Sequence, residues 1–288
     1  SHDDMVMWYR NDGFENFQKV VVATDADGVR DVVVGDLNGD GHLDLAAASL
    51  SNDTITWYEN DGQMSFTTHT ISTEVDGAYG LVMGDLDKND QMDLVSTSYY
   101  GDQVVFHQNT GDESFSSVVL SETVDGPRSV RTADLNGDEH LDVLVNSFFD
   151  GQVYAFINDG TASFTQTVIE QPPAGAQGLD VVDLENDGDL DIFGTFSGVG
   201  HVRWWAQDEN GAFTGTIIDG ATGNYVDSPR DVVVVDFDND NDLDVLSASS
   251  YDGQVAWFEN QGDQTFVSHT VTRAAEGASS VVAAHLNS

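Results

Sequence analysis

At 288 residues, 40% of them hydrophobic, the chain is long enough to bury a core, and 51 acidic residues against 9 basic ones leave a formal charge of −42. Such an acidic, lysine-poor surface argues against nucleic acid or anionic lipid as a partner, because like charges repel. There is no cysteine, so no disulfide framework exists, and no apolar run reaches the length of a membrane span.

Ser1-His2 reads as a cloning scar, no signal peptide is visible, and the chain is expected to be a mature or excised soluble segment. From Met5 the string MVMWYR reads as a strand and WYRNDG as its turn, since Asn-Asp-Gly favours the positive backbone angles of a tight hairpin. An alternating strand follows from Phe17. VRDVVVGDL at Val29–Leu37 is continuously apolar and predicts a strand buried on both faces.

That strand runs into DLNGDGHLDL, Asp36 to Leu45. Asp36, Asn38, Asp40 and Asp44 put side-chain oxygens at the first, third, fifth and ninth positions, and the carbonyl of His42 adds another at the seventh. Hard oxygen donors at alternate positions of a tight loop suit Ca²⁺, which takes about 6–8 oxygens at about 2.3–2.6 Å. Acidic turns without metal are common, but this one recurs. DLDKNDQMDL begins at Asp85, DLNGDEHLDV at Asp134, DLENDGDLDI at Asp183 and DFDNDNDLDV at Asp236, at spacings of 49, 49, 49 and 53 residues. The loops hold fewer than half of the acidic residues, so metal sites alone do not account for the charge, and a saline habitat would fit the remainder.

Trp8, Trp57, Phe106, Ala155, Trp204 and Trp257 keep the same beat, each opening a WYxNxG-like segment. The strand-opening Phe17, Phe66, Phe115, Phe164, Phe213 and Phe266 follow in phase. This stripe reads as packing between neighbouring repeats. Each repeat is then a strand, an acidic loop, a second strand, a short loop, a third strand, an NDG-type turn and a fourth strand. Four antiparallel strands per ~50 residues make the blade of a β-propeller. The extra four residues of the last interval fall in GATGNYVDSP, Gly220–Pro229, a surface connection. The expected fold is all-β, a single domain over 1–288, with a closing blade split between 1–24 and 277–288 and His285 standing where a sixth loop would begin. Six blades are expected; a truncated seven-bladed ring is the alternative.

The loops and their spacing resemble the FG-GAP/VCBS repeat family, the calcium-bearing blades also found in the integrin α-subunit head. The resemblance covers nearly the whole chain. It implies about five Ca²⁺ ions on the lower face, in the hairpins between first and second strands. Carried over by position, the further donors are Asp85, Asp87, Asn89 and Asp93; Asp134, Asn136, Asp138 and Asp142; Asp183, Glu185, Asp187 and Asp191; and Asp236, Asp238, Asp240 and Asp244. Seventh-position carbonyls come from His42, Gln91, His140, Asp189 and Asp242. Glu185 departs from the usual Asp or Asn, and its longer side chain changes the geometry of that site.

The other connections share the upper face. Arg30, Tyr79, Arg128, Gln177 and Arg230 each lie six positions before a loop's first Asp and are expected to ring the mouth of a central channel. The second-to-third-strand loops add Leu50, Tyr99, Tyr100, Phe148, Phe149 and Tyr251. Guanidiniums among aromatics on an acidic protein suit a glycan or an acidic peptide. The bland alternative pairs each Arg with acids such as Asp31 or Asp231. Catalysis finds no G-x-S-x-G elbow, no H-E-x-x-H and no phosphate loop, and His69 and His269 sit at equivalent outer-strand positions where exposure is expected. The expected function is therefore a non-catalytic, Ca²⁺-stabilised binding or adhesion module. It would be a monomeric domain of a larger secreted or cell-surface protein, with a glycan or protein ligand. A lyase-type polysaccharide enzyme using Arg128 or Arg230 is the alternative of another class, and a passive spacer is the third.

Overall fold

The computed structural model describes residues 4–14, 16–170, 173–218 and 226–284. Ser1-His2, His285 and residues 220–225 of the inserted connection lie outside the described residues.

Among the described residues there are strands and no helix. In chain order they are β1 (Val6–Asn11), β2 (Phe17–Ala23), β3 (Val29–Gly35), β4 (Asp44–Ser49), β5 (Thr54–Asn60), β6 (Phe66–Ser72), β7 (Ala78–Gly84), β8 (Asp93–Ser98), β9 (Gln103–Asn109), β10 (Phe115–Ser121) and β11 (Pro127–Ala133). There follow β12 (Asp142–Ser147), β13 (Val153–Asn158), β14 (Phe164–Glu170), β15 (Ala176–Val182), β16 (Asp191–Phe196), β17 (His201–Gln207), β18 (Phe213–Ile217), β19 (Pro229–Val235), β20 (Asp244–Ser249), β21 (Val255–Asn260) and β22 (Phe266–Thr272). They form five four-stranded sheets, β3–β6, β7–β10, β11–β14, β15–β18 and β19–β22, each in sequence order, and one two-stranded sheet, β1–β2. This is the strand order of β-propeller blades. The segment 277–284 carries no strand, although Val281 donates its N–H to Asp231 Oδ2 at 3.0 Å much as Leu81 does to Asp31 Oδ2.

The chain divides into two compact units, Ser1–Thr132 with Asn158–Phe164, and Ala133–Ile157 with Thr165–Ser288. The first is cored by Trp57, Ile55, Leu81 and Leu94, with a smaller cluster around Val6, Ala47 and Tyr58. In the second, Leu144, Leu179, Phe196 and Trp205 form one cluster, and Phe193, Trp204, Val245 and Phe258 another. The second and third strands of each sheet supply most of these side chains, because those strands have a hydrogen-bonded neighbour on both sides.

One expectation fails. β3 is not buried on both faces: its residues alternate between half-buried and exposed, and Val34 is 58% exposed. Among the described residues the sheet packed nearby through Val6 and Ala23 is the two-stranded β1–β2. The equivalent β7 is mostly buried.

A bulge recurs at the start of the first strand of a blade. Val29 pairs with Ser49 and Asp31 with Ala48, which skips Arg30, and Pro229 pairs with Ser249 and Asp231 with Ala248, which skips Arg230. Tyr79 and Gln177 sit in the same irregularity of β7 and β15. Bulges re-aim the side chain they carry.

Candidate functional site

The five acidic loops share one hydrogen-bond plan. The first Asp accepts backbone N–H groups from the loop's own crest: Asp36 Oδ1 from Gly39 and Asp40 at 2.8 and 3.1 Å, and Oδ2 from Gly41 at 2.8 Å. Asp85, Asp134, Asp183 and Asp236 do the same from the fifth and sixth positions. To present those donors the chain turns left-handed at the fourth and sixth positions of every loop. Gly39 and Gly41 have φ of 73° and 86°, and Lys88, Asp90, Glu139, Asn186, Asn239 and Asn241 take the same conformation at the matching positions.

The fifth-position oxygen accepts the seventh residue's N–H, as in His42 to Asp40, Gln91 to Asn89, His140 to Asp138, Asp189 to Asp187 and Asp242 to Asp240, all between 2.8 and 3.0 Å. Asn38 and Asn136 each donate a side-chain N–H to the fifth-position Asp. The ninth-position Asp44, Asp93, Asp142, Asp191 and Asp244 are buried. Asp44 accepts the N–H of Leu37 at 3.1 Å and of Asn60 at 2.7 Å, and Asp93 those of Leu86 and Asn109. Burial raises the Asp44 carboxyl, and it pushes Asp93 up to about 6.

The oxygens converge most closely in two loops. Ligand atoms of Asp85, Asp87 and Asp93 lie within 4.8 Å of one another, as do those of Asp236, Asp238 and Asp240. In the fourth loop Glu185 does differ: burial, then the facing carboxyl of Asp191 to which it hydrogen-bonds, push its carboxyl well above the usual range. Two carboxyls in that contact need a shared proton or a cation between them.

The turn asparagines do more than shape a hairpin. Asn60 and Asn260 donate side-chain N–H groups to the carbonyls of Leu43 and Leu243 in their own loops. Asn109 reaches both Met92 in its own loop and Leu37, 72 residues back in the preceding repeat. Asn158 to Leu86 and Gln207 to Leu135 span the same 72 residues. The signal in the sequence is an Asn, or in Gln207 a Gln, in phase with the Trp position, which by itself marks only a turn.

At the end of β7 opposite its acidic loop the first unit gathers the second group of expected residues. Tyr79 lies between two guanidiniums, with Arg30 Cζ 5.7 Å and Arg128 Cζ 5.0 Å from its ring centroid. Arg128 also stands 4.9 Å from the Tyr99 ring and donates to Tyr99 Oη at 3.4 Å. Tyr99 contacts Tyr79 at 5.6 Å and the 60% exposed Tyr100 at 5.1 Å. Arg128 is positioned from behind: Thr97 Oγ1 donates to its carbonyl at 2.9 Å, and Gly80 packs directly on that carbonyl, where a Cβ would collide.

In the second unit Arg230 donates to Ser250 Oγ at 3.0 Å and to Gln177 Oε1 at 3.4 Å. Asp231, an expected ion-pair partner, accepts instead from Ser280 and Val281. Phe149 is exposed and packs edge-on against Phe148, while Tyr251 is 83% exposed.

His69 and His269 are half-buried and held rather than free on the surface. They stack on Trp57 and Trp257 at 4.3 and 4.6 Å and bond to Glu59 and Glu259, so an aromatic face and a carboxylate hold them. His107 is buried between Ser96 and Ser117, 2.8 Å from each, and burial lowers its pKa to about 4.

A family model described as FG-GAP-like repeat matches residues 1–47, 36–96, 89–145, 135–194, 183–247 and 236–288. The chain belongs to the FG-GAP-like repeat family. No curated protein matches it in sequence. Among solved structures it is similar to an Agrocybe aegerita lectin that recognises non-reducing terminal N-acetylglucosamine, at 17% identity and a TM-score of 0.66 over 95% of this chain and 76% of that one. It is similar to virginiamycin B lyase from Staphylococcus aureus at 14% identity and 0.64, over 96% and 80%. A Lactobacillus plantarum protein matches at 17% and 0.69, over 96% and 82%. At these identities the likeness is one of fold.

Proposed function

We propose that this FG-GAP-like chain is a Ca²⁺-stabilised, non-catalytic binding module of a secreted or cell-surface protein, and that it recognises an anionic glycan through Arg30, Tyr79, Tyr99, Tyr100 and Arg128. The donor chemistry of the loops fits a hard divalent cation: all oxygen, with three carboxylate atoms of the second and of the fifth loop already within 4.8 Å. The facing Glu185 and Asp191 carboxyls add a pair that a cation would neutralise. Ca²⁺ held by the first, third, fifth and ninth side chains would supply that positive charge and lock each hairpin. Millimolar Ca²⁺ is an extracellular condition, which favours a secreted or surface location.

The ligand reading rests on Tyr79 between Arg30 and Arg128. On a chain of formal charge −42, guanidiniums gathered on aromatic faces form a local exception. The rings offer stacking area to a sugar face, and the guanidiniums match carboxylate or sulfate groups bidentately. A lectin among proteins of similar fold supports the ligand class. The test is a glycan array of uronate-containing, sulfated and neutral glycans at millimolar Ca²⁺, repeated with Arg128→Ala. Retention of anionic glycans that is lost in the variant supports the proposal, and a blank array sinks it. Cleavage of a uronate polymer by the wild-type chain would move the same residues to the lyase reading.

A further inference from the structure

The landmark aromatics pack in a series: Trp57 meets Phe115 at 6.4 Å, Phe106 meets Phe164 at 5.9 Å and Trp204 meets Phe266 at 6.3 Å. In each contact the ring of one blade rests on the strand-opening Phe of the next. Ala155 breaks the series, and Phe213 is the ring that its missing aromatic would meet. A cavity of about 680 Å³ lies there, lined by both of them, by Ile157 on β13, by Thr167 on β14 and by Gln207 at the end of β17. Thr167 holds the phase at which the first blade places His69 under its Trp57, so two positions filled elsewhere by rings are small here.

We infer that this cavity binds a neutral, hexose-sized sugar unit. Its volume falls within the range of about 300–1,000 Å³ typical of small-molecule sites. Phe213 presents an aromatic wall for the apolar face of a pyranose. Gln207, which also lines the space, is held in place by donating its amide N–H to the Leu135 carbonyl at 3.0 Å. Asp189 and Glu209 also line the space, and their charge turns away an anionic ligand while leaving acceptors for hydroxyl donors. The site stands apart from the anionic-glycan reading and does not depend on it.

The experiment is saturation-transfer NMR on Ca²⁺-replete protein with the methyl glycosides of glucose, galactose, mannose and N-acetylglucosamine, followed by calorimetric titration of any that respond. Transfer to at least one glycoside is expected. Its affinity should fall by about tenfold or more in Ala155→Phe, which restores the missing ring, and in Thr167→His, and should be unchanged in Arg128→Ala. Melting curves establish that each variant is folded, and if Ala155→Phe is not, Thr167→His decides alone. No transfer to any glycoside, undiminished binding in the folded cavity variants, or loss in Arg128→Ala alone would each overturn the assignment.

Discussion

The side-chain amide of Asn109 donates to the carbonyl of Leu37 at 2.9 Å, joining the turn of one repeat to the acidic loop of the repeat before it. The same amide reaches Met92 at 3.2 Å, so one residue holds two loops in place. Both bonds lie where water reaches poorly, and a buried carbonyl left without its donor is costly. Asn109→Ala is therefore expected to destabilise by about 1–3 kcal/mol, with Asn109→Asp, which keeps the shape but cannot donate, nearly as damaging. Urea unfolding at fixed Ca²⁺ measures this, and an unchanged midpoint in both variants would remove the clamp from the account.

If the loops hold Ca²⁺, melting must depend on it. A ligand that binds only the folded state stabilises by about 2.7 kcal/mol per site at a hundredfold excess over its Kd. Chelation should lower the melting temperature by many degrees, Mg²⁺ should restore little of it, and Asp85→Ala should remove one increment of the Ca²⁺ response. A melting curve indifferent to chelator would end the cage reading.

Gly80 separates positioning from contact at the Arg128 site. A side chain there runs into the Arg128 carbonyl, which is backbone and cannot swing aside. Gly80→Val should cost about 1–3 kcal/mol through overpacking and also abolish binding of the anionic glycan, whereas Arg128→Ala should abolish binding with a smaller loss of stability. Calorimetry of unfolding and array binding on both variants distinguish them. Full binding by Gly80→Val would show that Arg128 does not depend on this contact.

His107 sets an acid limit. Its folded pKa of about 4 lies below the ordinary value of 6.5 because the ring is buried. The unfolded chain therefore takes up a proton first as pH falls. The stability contributed by the neutral ring is complete above pH 6.5 and is lost as pH falls toward 4, by about 3 kcal/mol at most. Asp93, raised to about 6 in the metal-free protein, contributes the opposite slope over an overlapping range. The difference between wild type and His107→Gln at each pH isolates the histidine. Parallel curves for the two proteins from pH 7 to about 4.5 would refute the assignment.

Much of the architecture was legible because each repeat states the same pattern locally. The left-handed positions at Gly39 and Gly41, the oxygens at alternate positions and the turn after Trp57 are properties of a few adjacent residues. The common phase of the Trp and Phe positions marks them as packing between neighbouring repeats, and Trp57 meets Phe115 and Phe106 meets Phe164. The misreadings have a common origin. The Val-rich string of β3 looked doubly buried, yet its residues alternate between half-buried and exposed, because burial is set by the elements packed on each face and not by the string itself. His69 looked exposed, yet Trp57 and Glu59 enclose it from the adjacent strand.

By itself the sequence determined the repeat, its strand order and the five acidic hairpins, since those follow from backbone preference and hydrophobic period within about 50 residues. Only the tertiary structure decided that a bulge turns Arg30 and Tyr79 out of the strand register, that Asn109 reaches back to Leu37, and that Ala155 leaves a cavity against Phe213. Each of these is a relation between strands or between repeats, and distance along the chain carries no record of it until the sheets pack.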